Sequence, residues 1–149
     1  MRRLAFVLFL LFPITACGQA ARLEVQDVWA RDTVGSTANA AVFMTISSPT
    51  PDRLIAASAP VAEKTDLMTM AGGNGAMEMT YLDGIDIPAN RPVSLNPGGL
   101  HVWLAHLHQP LRAGQSFPLI LEFEKAGQRR VVVPVIGPAA PPPVSGMPM

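Results

Sequence analysis

The chain has 149 residues, 49% of them hydrophobic, and its 11 basic and 11 acidic side chains cancel. That length suits one domain with a modest hydrophobic core. Charges so sparse and so balanced exclude an electrostatic nucleic-acid binder, and a single cysteine excludes an internal disulfide.

Residues 1–16 carry Arg2 and Arg3, an apolar run from Leu4 to Phe12, and then small residues. This is the pattern of a secretory signal, and the run is too short to span a bilayer as a helix. Cys17 follows Ile14-Thr15-Ala16, where a signal peptidase would cut, and its placement resembles a bacterial lipobox. Lipidation there would make Cys17 the first mature residue and anchor residues 17–21 as a tether. The alternative is ordinary cleavage after Ala20, with Cys17 lost. Either way the protein is expected outside the cytoplasm, in the periplasm of a Gram-negative-type bacterium. It would touch the membrane only through its lipid, and Gly18 in place of an aspartate points to the outer membrane. Two basic residues leave with the leader while all eleven acidic residues stay, so the mature net charge is −2.

Residues 22–136 read as strands in chain order: 22–30, 39–48, 53–60, 65–70, 76–82, 92–96, 100–107, 117–124 and 129–135. They alternate or run apolar over short lengths and are rich in valine, isoleucine and aromatics. Turn signals separate them: Gly72-Gly73, Asp83-Gly84, Asn96-Pro97-Gly98-Gly99, Ala113-Gly114 and Ala126-Gly127. No long helical period intervenes. The expected fold is all-β, an antiparallel sandwich or small barrel. Residues 137–149 hold five of the fifteen prolines and end in Met147-Pro148-Met149. They are expected to form an extended, mobile tail, either inert or bringing thioether sulfur to a metal.

The segment Met68-Thr69-Met70 … Met77-Glu78-Met79 holds four of the eight methionines. On two strands of a hairpin, each pair shares one face. A hairpin symmetric about its loop sets Met70 opposite Met77 and Met68 opposite Met79. A methionine-lined core face is one reading. The other is a soft-metal surface, because strands normally favour β-branched residues and neutral thioethers favour Cu(I) over Zn(II) or hard cations. The three histidines, His101, His106 and His108, all follow within one strand region. Alternation puts His101 and Trp103 on one face and His106 on the other, with His106 and His108 read as surface residues.

The spacing Met68, ten residues, Met79, twenty-one residues, His101, one residue, Trp103 resembles the periplasmic copper chaperones of the PCu(A)C family. Their pattern is His or Met, ten residues, Met, twenty-one residues, His, one residue, Met. Segments around Asp27–Arg31, Gly98–Leu104, His108–Gly127 and Val131–Val135 resemble family segments in the same order. The resemblance implies a cupredoxin-like antiparallel β-sandwich of Greek-key type. It also implies a surface Cu(I) site with Met68, Met79 and His101 as ligands, and no enzymatic activity. Trp103 stands where the family has methionine, and Ala105 replaces another common methionine. Trp103 then either caps the metal by a cation–π contact or packs on a methionine face that has lost its metal. Met70 and Met77 are auxiliary donors. The implied partner is a copper donor or acceptor, a cytochrome c oxidase subunit or another copper chaperone, reached by ligand exchange. Protonation of His101 would compete with the metal. The alternative is a non-metal interaction module that docks a partner on its methionine face. Asp83 and Asp86 are read as turn residues, so no paired carboxylates supply an enzyme.

Overall fold

The computed structural model describes residues 22–73 and 75–144. The leader, Cys17, the tether to Ala21, Met147 and Met149 lie outside the described residues. The described chain is all β, with ten strands: β1 Glu24–Arg31, β2 Ala40–Ser47, β3 Asp52–Ser58, β4 Ala62–Gly73, β5 Ala76–Leu82, β6 Ile85–Ile87, β7 Val93–Leu95, β8 Leu100–Leu107, β9 Ser116–Phe123 and β10 Gly127–Ile136. They form one hydrogen-bonded sheet in the order β5-β4-β8-β2-β1-β10-β9-β3-β6, with β7 paired to β2. Its two halves enclose one core. Val42, Ile46, Val102 and Leu104 from one half meet Leu54, Leu119, Leu121 and Phe123 from the other, all essentially buried. Burial on this scale is the main favourable term in folding.

The sheet is mixed, which corrects the antiparallel expectation. β1 runs parallel to β10, with Ala30 opposite Val135 and Arg31 opposite Ile136. Neither strand alone carries a signal for this contact, because parallel partners lie far apart in sequence and no turn links them. Two local expectations also change. Asp86 is the exposed middle residue of β6, opposite Arg53 and bonded to it at 2.7 Å; only Asp83 stays in a bend. Gly72 and Gly73 belong to β4, and the hairpin reverses between the paired residues Gly73 and Ala76. Gly75, at φ 84°, supplies the left-handed conformation that the tight reversal requires.

Alternation along β2, β4 and β8 splits their side chains between two duties. Val42, Leu67, Val102 and Leu104 enter the core, so Phe43, Met68, His101 and Trp103 face outward. β1 joins this division through a bulge. Its register against β2 shifts between Gln26 and Trp29, and Asp27 sits at φ 52°. The extra residue lets both Val25 and Val28 reach the core and turns Trp29 to the outer face opposite Phe43. Simple alternation from Leu23 would have buried Trp29 with Val25.

Candidate metal centre

The outer face carries a row of side chains running across the strands. Trp29 and Phe43 stack at 4.6 Å between ring centroids, and Phe43 lies 6.3 Å from the His101 ring. His101 is directly opposite Met68, which is opposite Tyr81 on β5. Trp29, Phe43, Met68 and His101 are all buried, although none belongs to the main core. Trp103 meets the His101 ring edge-on at 6.1 Å, and its strand neighbours are Ala41 and Asp66.

One position nearer the hairpin tip, Met70 is opposite Met79; beyond it, Met77 is opposite Gly72. The register therefore differs from the symmetric hairpin, which put Met70 against Met77 and Met68 against Met79. The cause is the position of the reversal, centred one residue further along than in the symmetric hairpin, between Gly73 and Ala76. All four methionines still share the face of His101, because residues opposed or two apart point the same way. Gly72 has room for the Met77 sulfur, which lies 3.4 Å from the place a Cβ would occupy. Met68 is the geometric centre of the group. His101 is its direct neighbour, and Met79 is its diagonal neighbour at roughly 7–8 Å between Cα atoms, within reach of long side chains.

His101 is oriented by the backbone. Its Nδ1 lies 3.0 Å from the carbonyl oxygen of Gly99. A carbonyl only accepts, so Nδ1 carries the proton and Nε2 keeps its lone pair for a metal. The same carbonyl accepts from the Met70 N–H at 3.0 Å. The turn beneath it is held by Asn96, whose backbone carbonyl accepts from Gly99 N–H at 3.0 Å and whose Oδ1 accepts from Gly98 N–H at 3.1 Å. An outer hydrogen bond of this kind fixes a ligating imidazole and raises its basicity.

The donors grade from inside to outside. Met68 and His101 are 3% and 4% exposed, whereas Met79 is 38% and Met77 61% exposed. Lys64 and Asp66 flank the inner end, 3.0 Å apart. Lys64 also sits over the Tyr81 ring at 5.2 Å, and the hydrogen bond to Asp66 raises its pKa. His106 and His108 stand apart and exposed; His106 faces Glu63 at 3.4 Å. Among the described residues no three His, Cys, Asp or Glu side chains group to hold a metal ion. The donor set at this face is thus thioether plus one imidazole, which fits a soft monovalent ion and not a hard one.

The sequence reading did not single out Phe43, Gly99 or Tyr81. Phe43 and Tyr81 look like ordinary strand aromatics until the register aligns them with His101. Arg31 adds a link on the far side of the row. Its guanidinium lies 5.2 Å from the centre of the Trp29 ring and donates to the carbonyls of Gly137 and Pro138 at 2.9 and 2.8 Å. The first residues of the proline-rich tail are therefore fastened beside the Trp29 end of this row.

Comparison with known proteins bears on the fold and the family. A curated relative from Leifsonia xyli subsp. xyli, named "Putative lipoprotein Lxx21020", is 35% identical over 83 residues, which cover 55% of this chain. The chain spans about half the length of that relative, since the match covers 50% of it. The solved copper-bound PCuAC domain from PmoF2 superposes with a TM-score of 0.67 at 25% identity, covering 78% of this chain and 94% of that one. The Cu(I) form of DR1885 from Deinococcus radiodurans superposes with a TM-score of 0.64 at 27% identity, covering 83% and 85%. The profile of the LpqE-like lipoprotein family matches residues 23–135, nearly the whole described domain. The chain therefore belongs to the LpqE-like family and has the PCuAC copper-chaperone fold.

Proposed function

We propose that this protein is an exported Cu(I) carrier that passes copper to a partner protein by ligand exchange. The observation that carries the proposal is the pairing of His101 with Met68, with His101 Nδ1 bonded to Gly99 and its Nε2 left to bind metal. Met79 supplies the third donor, and Trp103 shields the ion from water and oxidant. The copper-bound relatives support the ion. Cys17 and the lipoprotein relatives support export and a lipid anchor. The acceptor implied by the resemblance is a cytochrome c oxidase copper centre or another chaperone.

The gradient of exposure gives exchange a direction. An incoming ligand reaches Met79 first, since Met68 and His101 are enclosed. Met79 leaves first, Met68 next, and His101 last. The test is an anaerobic Cu(I) titration against a chromophoric competitor. One tight equivalent is expected, weakened about 100-fold or more in His101→Ala, as for loss of one charge-free but basic ligand. Unchanged affinity in both His101→Ala and Met79→Ala would overturn the reading and leave the methionine face as a protein-docking surface.

A further inference from the structure

The two edges of the sheet are unlike. β6 is three residues long and carries the Arg53–Asp86 ion pair, a charged and short edge. β5 is seven residues long, contains no proline or lysine, and exposes Met77, Met79 and Tyr81. Natural edges are usually blunted by charge, proline, bulges or brevity. β5 has no proline or bulge and is not short, and its single charge is Glu78.

The ladder shows which backbone groups are on offer. Met70 donates its N–H to Gly99, on the β8 side. In an antiparallel ladder, alternate residues direct both backbone groups to the same neighbour. Met70 is therefore not bonded across to Met79, its opposite residue. It follows that Met79, and with it Met77 and Tyr81, turn N–H and C=O to the free edge. The side chains of these same three residues lie on the metal face.

We infer that β5 pairs antiparallel with β5 of a second copy of this chain, centred on Met79. Met79 is the middle residue of the strand, so this register uses its full length. It sets Met77 opposite Tyr81 of the second copy, a favourable sulfur–aromatic pair. It sets Glu78 opposite Thr80 of the second copy, so the charge meets a hydroxyl and not its own image. A centre on Glu78 would oppose two like charges. The two-fold axis stands perpendicular to the sheet, so both methionine faces lie on the same side. Met79 of the second copy then adjoins the Met70–Met79 pair. It offers a thioether to a site whose fourth family position is Trp103. The pairing itself stands without copper; the role of Met79 of the second copy rests on the Cu(I) reading above.

Sedimentation equilibrium of the full chain in density-matched detergent tests the pairing, without metal and at concentrations up to about 1 mM, the weak end of specific association. A monomer–dimer equilibrium is expected. Thr80→Glu places a like charge against Glu78 twice and should weaken the dimer by about fivefold. Thr80→Lys should strengthen it by a similar factor. Met77→Pro removes an edge-facing N–H but no bond to β4, so the variant should fold and stay monomeric. A monomer throughout, or a dimer indifferent to the charge at position 80, overturns the pairing. The Cu(I) titration above is read separately: copper bound by a strict monomer defeats only the dimer, and a dimer without copper affinity defeats only the metal role.

Discussion

At the scale of single residues, the site mixes structural and chemical duties, and substitutions must separate them. Met68 is buried, so Met68→Ala should cost about 2–5 kcal/mol of stability as well as copper affinity. Met68→Leu keeps the volume and removes the sulfur. It should leave the thermal midpoint nearly unchanged while weakening Cu(I) binding at least about tenfold, read by competition titration. Met77→Ala, at an exposed position, should alter stability by less than about 0.5 kcal/mol. Away from the site, Asp52 is an acid-sensitive fastener. Burial opposes its ionisation, but the N–H groups of Lys125, Arg53 and Ala126 donate to its carboxylate and hold its pKa below the ordinary 3.8. A carboxyl depressed on folding stabilises fully above its unfolded value and loses that contribution as pH falls through its folded value. Stability should therefore drop on acidification below the ordinary value. Asp52→Asn should cost about 1 kcal/mol at neutral pH, and the two melting curves should converge in acid. The candidate ligands were legible as residue types and spacings. The Gly99 carbonyl was not, because a backbone atom acquires such a role only from the register.

At the scale of elements, nine of the ten described strands were legible from alternation and turn chemistry, whereas the three-residue β6 around Asp86 was read as turn. β5 and β8 start and end where the sequence pattern places them. The departures occur where one residue changes the phase. The hairpin reverses between the paired residues Gly73 and Ala76, with Gly75 in the left-handed conformation, and this sets the methionine register. Gly75→Ala should cost about 1 kcal/mol, since φ 84° strains any side chain. Its effect on Cu(I) affinity should be small if the lower ladder holds and only the tip frays, which amide exchange at Glu78 against Thr80 would show. The bulge at Asp27 was illegible for the opposite reason: Leu23-Glu24-Val25-Gln26 alternates cleanly and gives no warning. Asp27→Val should lower stability by about 1–2 kcal/mol, since φ 52° strains a β-branched side chain, and should loosen Trp29 from Phe43. Near-ultraviolet circular dichroism would report that loosening.

At the scale of the whole molecule, one sheet separates the folding core from the candidate metal face. Its inner surface holds the main core, and its outer surface holds the row from Trp29 and Phe43 through His101 to the hairpin methionines. Leu121→Ala should therefore cost about 2–5 kcal/mol yet leave the copper affinity of the remaining folded protein close to that of the wild type. Equilibrium denaturation and Cu(I) titration together check both halves of that statement. The family was legible in the long fixed spacings, whereas the parallel seam between β1 and β10 was not, because it joins the two ends of the domain. The alternation along β8 has a consequence for descent. Val102 and Leu104 answer to folding, while His101 and Trp103 lie on the outer face, where the proposed ion would bind. Selection on one set leaves the other open to drift, so position 103 can hold a tryptophan where the resembling pattern has methionine while the same sheet persists beneath it.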